Sequence, residues 1–311
     1  MARKTNMKIP LIVILGPTAV GKTKLSIELA KAINGEIISG DAIQVYKGMD
    51  IGSAKITHEE AEGIPHHLID ILEPNESYSS AQFKNEAEKC IESIYSRGKI
   101  PMVVGGTGLY IQSLLYEYDY VEEDPKVKRY WLSQFEHLDR ETLHEQLKSV
   151  DPIAAASIHP NNKQRVLRAL TYYKMHQQSI TLQSKSKTIS DKYDTILIGL
   201  NMPRPILYER INERVQLMFE QGLIDEVKQL LQCGYESAQS MTAIGYKEVI
   251  PFIKGEITYD TMVETLQQNT RHFAKRQLTW FNNQMNIDWL DPTELSVADM
   301  VNHIQIQIKG E

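Results

Sequence analysis

Cysteine is scarce in this sequence, with Cys90 and Cys233 the only two among 311 residues. Neither stands in a CxxC pair or in a Cys/His cluster. This scarcity argues against a disulfide framework or a zinc site and favours reduced thiols in the cytoplasm. Long hydrophobic runs are missing as well, and the longest near the N-terminus, Ile9 to Leu15, is far shorter than a membrane span. We therefore expect a cytoplasmic protein without a membrane partner.

Acidic residues are missing from one stretch of an otherwise acidic chain. The formal net charge is −6, yet no Asp or Glu lies between Pro152 and Ser190. The basic residues of that stretch are Lys163, Arg165, Arg168, Lys174, Lys185 and Lys187. Such an imbalance indicates either a local anionic partner or a solvated basic face. Charge alone leaves these two interpretations equally open.

The loop GPTAVGKT is the most specific motif, lying between the apolar run IPLIVIL and a helical pattern. It matches G-x-x-x-x-G-K-[ST], in which backbone N–H groups and a helix N-terminus cradle phosphate oxygens. The lysine neutralises phosphate charge, and the threonine hydroxyl can hold Mg²⁺. We predict that a diphosphate or nucleotide is bound by Gly16, Pro17, Thr18, Ala19, Val20, Gly21, Lys22 and Thr23, with Thr23 as the metal ligand.

The loop alone does not define the reaction. No clear apolar run ends in Asp followed by Glu, so the Walker-B acid of motor-type NTPases is missing. The best acid at a strand end is Asp41 in EIISGDAIQVY. Because α/β proteins bind ligands at the carboxyl ends of their strands, Asp41 suits a general base for an attacking acceptor. Alternatively, Asp41 is a structural residue that forms a turn or caps the N-terminus of a helix.

The pattern of elements indicates an α/β fold, a P-loop NTPase-like parallel sheet flanked by helices, with an all-helical insertion domain. Strands are predicted at IPLIVIL, EIIS, HHLIDIL, IPMVV and YDTILIGLN, with helices between them, one beginning after Ser79. We place the catalytic core at residues 8–120 and 193–311 and the helical insertion at 121–192. Beyond the last predicted strand, long helices are expected over Pro205–Cys233, Thr242–Ile253 and Tyr259–Gln284.

An ordered series of motifs resembles the bacterial tRNA dimethylallyltransferases, also called tRNA isopentenyltransferases or IPP transferases. From residue 16 to 281 the series reads GPTAVGKT, SGDAIQVYKGMDIGSAK, PHHLID, YSSAQF, VGGTGLYIQSLL, DPIAAASIHPNNKQRVLRAL, LYERINERV, AIGYKE and AKRQLTWF. The chain departs from the family where Ala42 replaces the usual serine after the acid. That departure puts any role of the missing hydroxyl in doubt.

The resemblance implies transfer of a dimethylallyl group from dimethylallyl diphosphate to N6 of adenine 37, in tRNAs that read codons beginning with U. The phosphate loop would hold the departing diphosphate, whose charge Lys22, Arg214 and Mg²⁺ would stabilise. Asp41 would accept a proton from the adenine amine or orient it. Thr107 would lie near the transferred group or the base, or serve as the N-cap of the following helix.

The resemblance also implies where the anticodon stem-loop of tRNA binds. Spacing places Arg165, Arg168 and Tyr172 on one helical face, with Val166 and Leu170 turned towards a core. The family match makes the basic face an RNA contact of a monomeric enzyme. The residues implied in tRNA binding are Asp41, Ala42, Ile43, Gln44, Thr107, Gln164, Arg165, Arg168, Gly245 and Lys247.

Two other functions remain open at this point. A small-molecule kinase could bind ATP in the same loop and use Asp41 as its base. A non-enzymatic RNA-binding protein could use a nucleotide only as a switch. The long basic insertion argues against the kinase, and an acid at the sheet edge argues against the switch.

Overall fold

The computed structural model describes residues 8–117, 124–182 and 189–310. The chain forms two compact units: a core unit, Met1–Leu115 with Ser190–Glu311, and an insert unit, Tyr116–Ile189. In the described part of the chain, no helix combines the length and the apolar character needed to cross a membrane.

The core unit is built on one six-stranded sheet in which every pairing is parallel. Its strands are β1 (Ile9–Leu15), β2 (Gly35–Ser39), β3 (His66–His67), β4 (Ile100–Gly105), β5 (Tyr193–Leu200) and β6 (Asp288–Leu290). They lie in the order β3-β2-β4-β1-β5-β6. The predicted α/β class with a P-loop-like parallel sheet is confirmed.

Twelve α-helices are found in the described residues. They are α1 (Lys22–Ile33), α2 (Ser80–Ser96), α3 (Gly108–Leu115), α4 (Pro125–Phe135), α5 (Arg140–Val150), α6 (Pro152–Ser157), α7 (Lys163–His176), α8 (Arg204–Glu220), α9 (Leu223–Gln232), α10 (Ile250–Ile253), α11 (Tyr259–Gln284) and α12 (Val297–Lys309). The predicted N-cap Ser79 is confirmed, since it forms a capping box with Gln82 at the start of α2.

The central strand β1 is buried on both faces, as its unbroken apolar run predicts. Ile12 and Ile14 join α1, α8 and α12 in one hydrophobic cluster. Leu11 and Val13 point to the opposite face and are fully buried too. A rigid central strand therefore ends at Leu15, directly before the phosphate loop.

Three element predictions were wrong. The strand expected at HHLIDIL is only His66–His67, because Leu68 and Asp70 adopt positive φ angles of 61° and 55°. The helix expected over Pro205–Cys233 is interrupted at Gly222, whose φ is 101°. The helix expected over Thr242–Ile253 is a turn segment followed by the short α10.

The described insert residues form helices α4 to α7 around a core that includes Leu143, Leu147, Val166 and Leu170. Asn162 caps α7 by accepting a hydrogen bond from Arg165 N. Lys185 and Lys187, two of the basic residues noted above, lie outside the described residues.

Candidate active site

The phosphate loop is a tight turn between β1 and α1. Gly16 and Gly21 have φ angles of 149° and 105°, a backbone region that favours glycine. A Cβ on Gly16 would also lie 2.5 Å from the carbonyl oxygen of Leu200. Glycine is therefore required at Gly16 for conformation and for space, and α1 begins directly after Gly21.

Two cations face the loop, and neither forms an ion pair with a carboxylate among the described residues, although the charges of Asp41 and Glu60 act on them from a greater distance. Lys22 Nζ donates to the carbonyl oxygens of Gly16 at 3.0 Å and Pro17 at 2.7 Å. Arg214, on α8, forms no hydrogen bond or ion pair with any residue that the structure describes. Burial, with the Arg214 charge nearby, lowers the pKa of Lys22 to about 7, and burial also lowers the pKa of Arg214. Such a pair is suited to an anion, which would supply the missing counter-charge.

Asp41 lies just beyond the carboxyl end of β2. Its Oδ1 accepts hydrogen bonds from Ile43 N at 2.8 Å and from Gln44 N at 3.4 Å. Burial raises the pKa of Asp41, although these bonds and the charge of Lys22 oppose the rise. Asp41 therefore forms the turn that the sequence offered as one alternative, and its role as a proton acceptor stays a prediction.

Thr107 connects the end of β4 to the Asp41 turn. Its Oγ1 accepts from Ala42 N at 3.1 Å, and its own N–H donates to Gly40 O at 3.2 Å. A Cβ on Gly105 would lie 2.3 Å from Gly40 O, so the two loops touch backbone to backbone. The Thr107 hydroxyl thus contacts the Asp41 turn, while its carbonyl accepts from the first turn of α3.

One cavity of about 990 Å³ in the core unit brings most of the predicted site together. Lys22, Asp41, Thr107, Arg214 and Lys247 all line it. So do the other predicted residues Thr18, Ala19, Val20, Gly21, Thr23, Ala42, Ile43, Gln44 and Gly245, whereas Gly16 and Pro17 are not among its lining residues.

Gln44 was expected to contact RNA, but its amide group already has protein partners. The oxygen accepts from Ser39 Oγ at 2.9 Å, and the nitrogen donates to the carbonyls of Ser53 and Ala54 at 3.4 and 3.3 Å. Its side chain therefore holds the loop that forms the cavity wall.

The predicted RNA-contacting residues of the insert lie on α7. Gln164, Arg165 and Arg168 are exposed, whereas Val166 and Leu170 are buried. Tyr172 is only 3% exposed, so its expected place on the open basic face is wrong. Helical spacing places it beside the arginines, but its side chain is buried against other parts of the fold and its ring lies near that of His176.

Two residues that sequence reasoning missed organise the cavity wall. Gln277 of α11 hydrogen-bonds to both the phosphate loop and Gly106. Glu226 of α9 accepts from the N–H groups of residues 50–52 and from the Tyr246 hydroxyl. No local pattern marks Glu226, an ordinary polar residue within a helix. Gln277 lies in the AKRQLTWF motif, but that motif does not reveal its two distant partners.

Comparisons with known proteins were consistent with this arrangement. The family described as IPP transferase matches residues 44–284. A tRNA dimethylallyltransferase of Macrococcus caseolyticus (strain JCSC5402) is 68% identical over 301 residues, which cover 97% of this chain and 96% of that protein. A tRNA dimethylallyltransferase of Staphylococcus aureus (strain JH9) is 52% identical over 304 residues, covering 96% and 98% of the two chains.

Solved structures give the same result. A tRNA delta(2)-isopentenylpyrophosphate transferase of Staphylococcus epidermidis is 52% identical with a TM-score of 0.74, covering 97% of this chain and 99% of that one. A eukaryotic dimethylallyltransferase acting on tRNA is 32% identical with a TM-score of 0.80, covering 97% and 79%. The motif series from the phosphate loop to AKRQLTWF had pointed to the same relatives, and the chain belongs to the IPP transferase family.

Proposed function

We propose that the protein transfers a dimethylallyl group from dimethylallyl diphosphate to N6 of adenine 37 in tRNAs that read codons beginning with U, releasing diphosphate. The observation that carries this proposal is that one cavity holds the Asp41 carboxylate together with Lys22 and Arg214, neither of which is ion-paired in the described part of the chain. The relatives named above are tRNA dimethylallyltransferases, which agrees with this chemistry.

The cation side binds the leaving group. As the bond between the dimethylallyl carbon and the diphosphate oxygen breaks, its electron pair goes to the diphosphate. Lys22, Arg214 and the N–H groups of the loop stabilise that growing charge. Because these groups are already in place, no reorganisation is needed during the reaction.

The carboxylate side activates the acceptor. The adenine amine is a poor nucleophile, since its lone pair is delocalised into the ring, so positioning and a base are both needed. As N6 forms its bond to the dimethylallyl carbon, Asp41 accepts the proton that N6 loses. Burial raises the pKa of Asp41 and so makes it a stronger base than an exposed carboxylate.

The residues present fit a magnesium ion. Thr23 lines the cavity, and its hydroxyl forms no hydrogen bond with the described residues. A phosphate-loop magnesium takes one such hydroxyl, with phosphate oxygens and water completing its shell. When bound, the ion would neutralise charge on the diphosphate.

The anticodon stem-loop of tRNA is the proposed macromolecular partner of a monomeric, cytoplasmic enzyme. A base must leave its stack to enter a cavity of this depth. The exposed Gln164, Arg165 and Arg168 of the insert contact the RNA, as do Gly245 and Lys247 on the cavity wall. A tRNA partner supports the interpretation as a tRNA-modifying transferase over that as a small-molecule kinase.

The test is an assay with an unmodified anticodon stem-loop carrying adenine at positions 36 to 38, dimethylallyl diphosphate and Mg²⁺, read by mass spectrometry. We expect prenylated adenine at position 37 and none when guanine replaces it. Asp41→Asn should lower kcat by about 10²- to 10⁴-fold. Absence of product from the wild-type protein, with ATP hydrolysed instead, would contradict the proposal in favour of the kinase.

A further inference from the structure

Helix α11 contacts two loops that the proposed reaction uses. Gln277 is only 7% exposed, and its Oε1 accepts a hydrogen bond from Thr18 N at 3.0 Å. Its Nε2 donates to Gly106 O, also at 3.0 Å. One amide group therefore joins the phosphate loop to the loop that leads into Thr107.

The packing of α11 on this second loop is very close. A Cβ on Gly106 would lie 2.3 Å from Gln277 Nε2. A Cβ on Gly108 would lie 2.2 Å from the Trp280 ring, about one helical turn further along α11. Glycine at Gly108 lets the loop approach the bulky Trp280 ring, and beside it Gly106 is held to α11 by the hydrogen bond from Gln277.

The same loop is held on its other side by the Asp41 turn. The Thr107 hydroxyl accepts a hydrogen bond from Ala42 N, and the Thr107 N–H donates to Gly40 O. A continuous series of hydrogen bonds and backbone contacts thus runs from Thr18 through Gln277 and Gly106 to Thr107 and the turn that carries Asp41.

We propose that Gln277 is a positioning residue, which sets the distance between the diphosphate donor and the Thr107 and Asp41 pair; this inference rests on the proposed function. The Thr18 N–H needs an acceptor and the Gly106 carbonyl needs a donor. The side-chain amide of Gln277 provides both. A carboxylate would face the Gly106 carbonyl with no proton to donate, and a hydrocarbon would leave both backbone groups without a partner. Because the Thr18 N–H already donates to Gln277, the N–H groups later in the loop are the ones available to bind phosphate.

The first test is Gln277→Met, which keeps the length and volume of the side chain but removes both hydrogen bonds. Since a misplacement of about 1 Å can cost about 10²-fold in rate, we expect kcat to fall roughly 10- to 100-fold. The KM values for both substrates should stay within about threefold, because the groups that bind them are retained. Gln268→Met, at an exposed position of the same helix, is the matched control and should leave kcat unchanged.

A double-mutant cycle tests whether Gln277 acts through Thr107. If it does, combining Gln277→Met with Thr107→Ala should lower kcat by clearly less than the product of the two separate effects. A third variant, Gln277→Glu, adds a pH profile. Once protonated, its carboxyl can accept from Thr18 and donate to Gly106, so its kcat relative to wild type should rise as the pH falls, unlike that of Gln277→Met.

The outcomes separate this inference from the proposed function. The inference is overturned if the effects of Gln277→Met and Thr107→Ala on kcat multiply independently. It is also overturned if Gln277→Met lowers the melting temperature but leaves kcat unchanged. If Gln277→Met fails to fold, Gln277→Glu decides: a constant ratio to wild type across pH contradicts the inference. A wild-type protein that forms no prenylated RNA overturns the proposed function itself, and this inference with it.

Discussion

Lys22 is the residue whose charge depends most on the contents of the cavity. Among the described residues, its ammonium group donates to two backbone carbonyls of its own loop and to no side chain. Burial and the neighbouring Arg214 lower its pKa to about 7, although Asp41 acts in the opposite direction. A diphosphate between the two cations would replace repulsion with attraction and raise that pKa again.

Diphosphate binding should therefore take up a proton at pH 8, where Lys22 is mostly neutral in the free protein. We expect an uptake of about one proton more in the wild type than in Lys22→Met. At pH 6 the difference should vanish, because Lys22 is then protonated before binding. Titration calorimetry in two buffers of different ionisation enthalpy measures this uptake.

The control for this measurement is Lys89→Met, which changes an exposed lysine of α2 and should behave like the wild type. Equal uptake by the wild type and Lys22→Met at pH 8 would show that Lys22 is already charged in the free protein.

At the scale of elements, helix α9 holds the loop that carries the cavity wall. Glu226 accepts from the N–H groups of Asp50 at 3.0 Å, Ile51 at 2.7 Å and Gly52 at 3.1 Å, and from the Tyr246 hydroxyl at 2.8 Å. A Cβ on Gly52 would lie 2.6 Å from the Tyr246 ring. One carboxylate therefore connects a core helix to the segment that follows Asp41.

Glu226→Ala should destabilise the core unit by about 1–2 kcal/mol, since several partly buried donors lose a charged acceptor, while the exposed Asp50 N–H can bond to water instead. Scanning calorimetry of the core transition measures the change. Gln229→Ala, on an exposed position of the same helix, should stay within about 0.5 kcal/mol of the wild type. If Glu226→Ala has the same free energy of unfolding as this control, the prediction is wrong, and water replaces the carboxylate without loss of stability.

At the scale of the whole molecule, basic residues without acidic neighbours are concentrated on α7 of the insert unit. The net charge is −6, yet the described part of the insert exposes Arg165 and Arg168 on α7 in a stretch without acids. An acidic protein can bind RNA when its cations are gathered on one surface.

RNA affinity should fall steeply with salt, because binding to phosphates releases counterions. Changing Arg165 and Arg168 together to glutamine should reduce the slope of log K against log salt by about 1 to 2. Fluorescence anisotropy with a labelled anticodon stem-loop measures both slopes. Arg140→Gln, which removes one exposed arginine from α5 of the same unit, is the control. Unchanged slopes in the α7 variant would place the phosphate contacts elsewhere.

The sequence by itself determined the phosphate loop, because its chemistry depends on eight neighbouring residues. Two glycines with positive φ, a lysine and a helix start all lie between Gly16 and Thr23. It also determined the parallel sheet, since short unbroken apolar runs such as IPLIVIL make strands that are buried on both faces. The family followed from the order of the motifs.

Only the tertiary structure decided how these parts meet. Gln277 lies 259 residues from Thr18 and 171 from Gly106 along the chain, so no local pattern could pair them. The same holds for Tyr172, whose burial depends on neighbouring helices, and for the three-residue strand β6, too short to carry a periodic signal. Local backbone chemistry is encoded within a few residues, whereas the distance between two loops depends on every side chain packed between them.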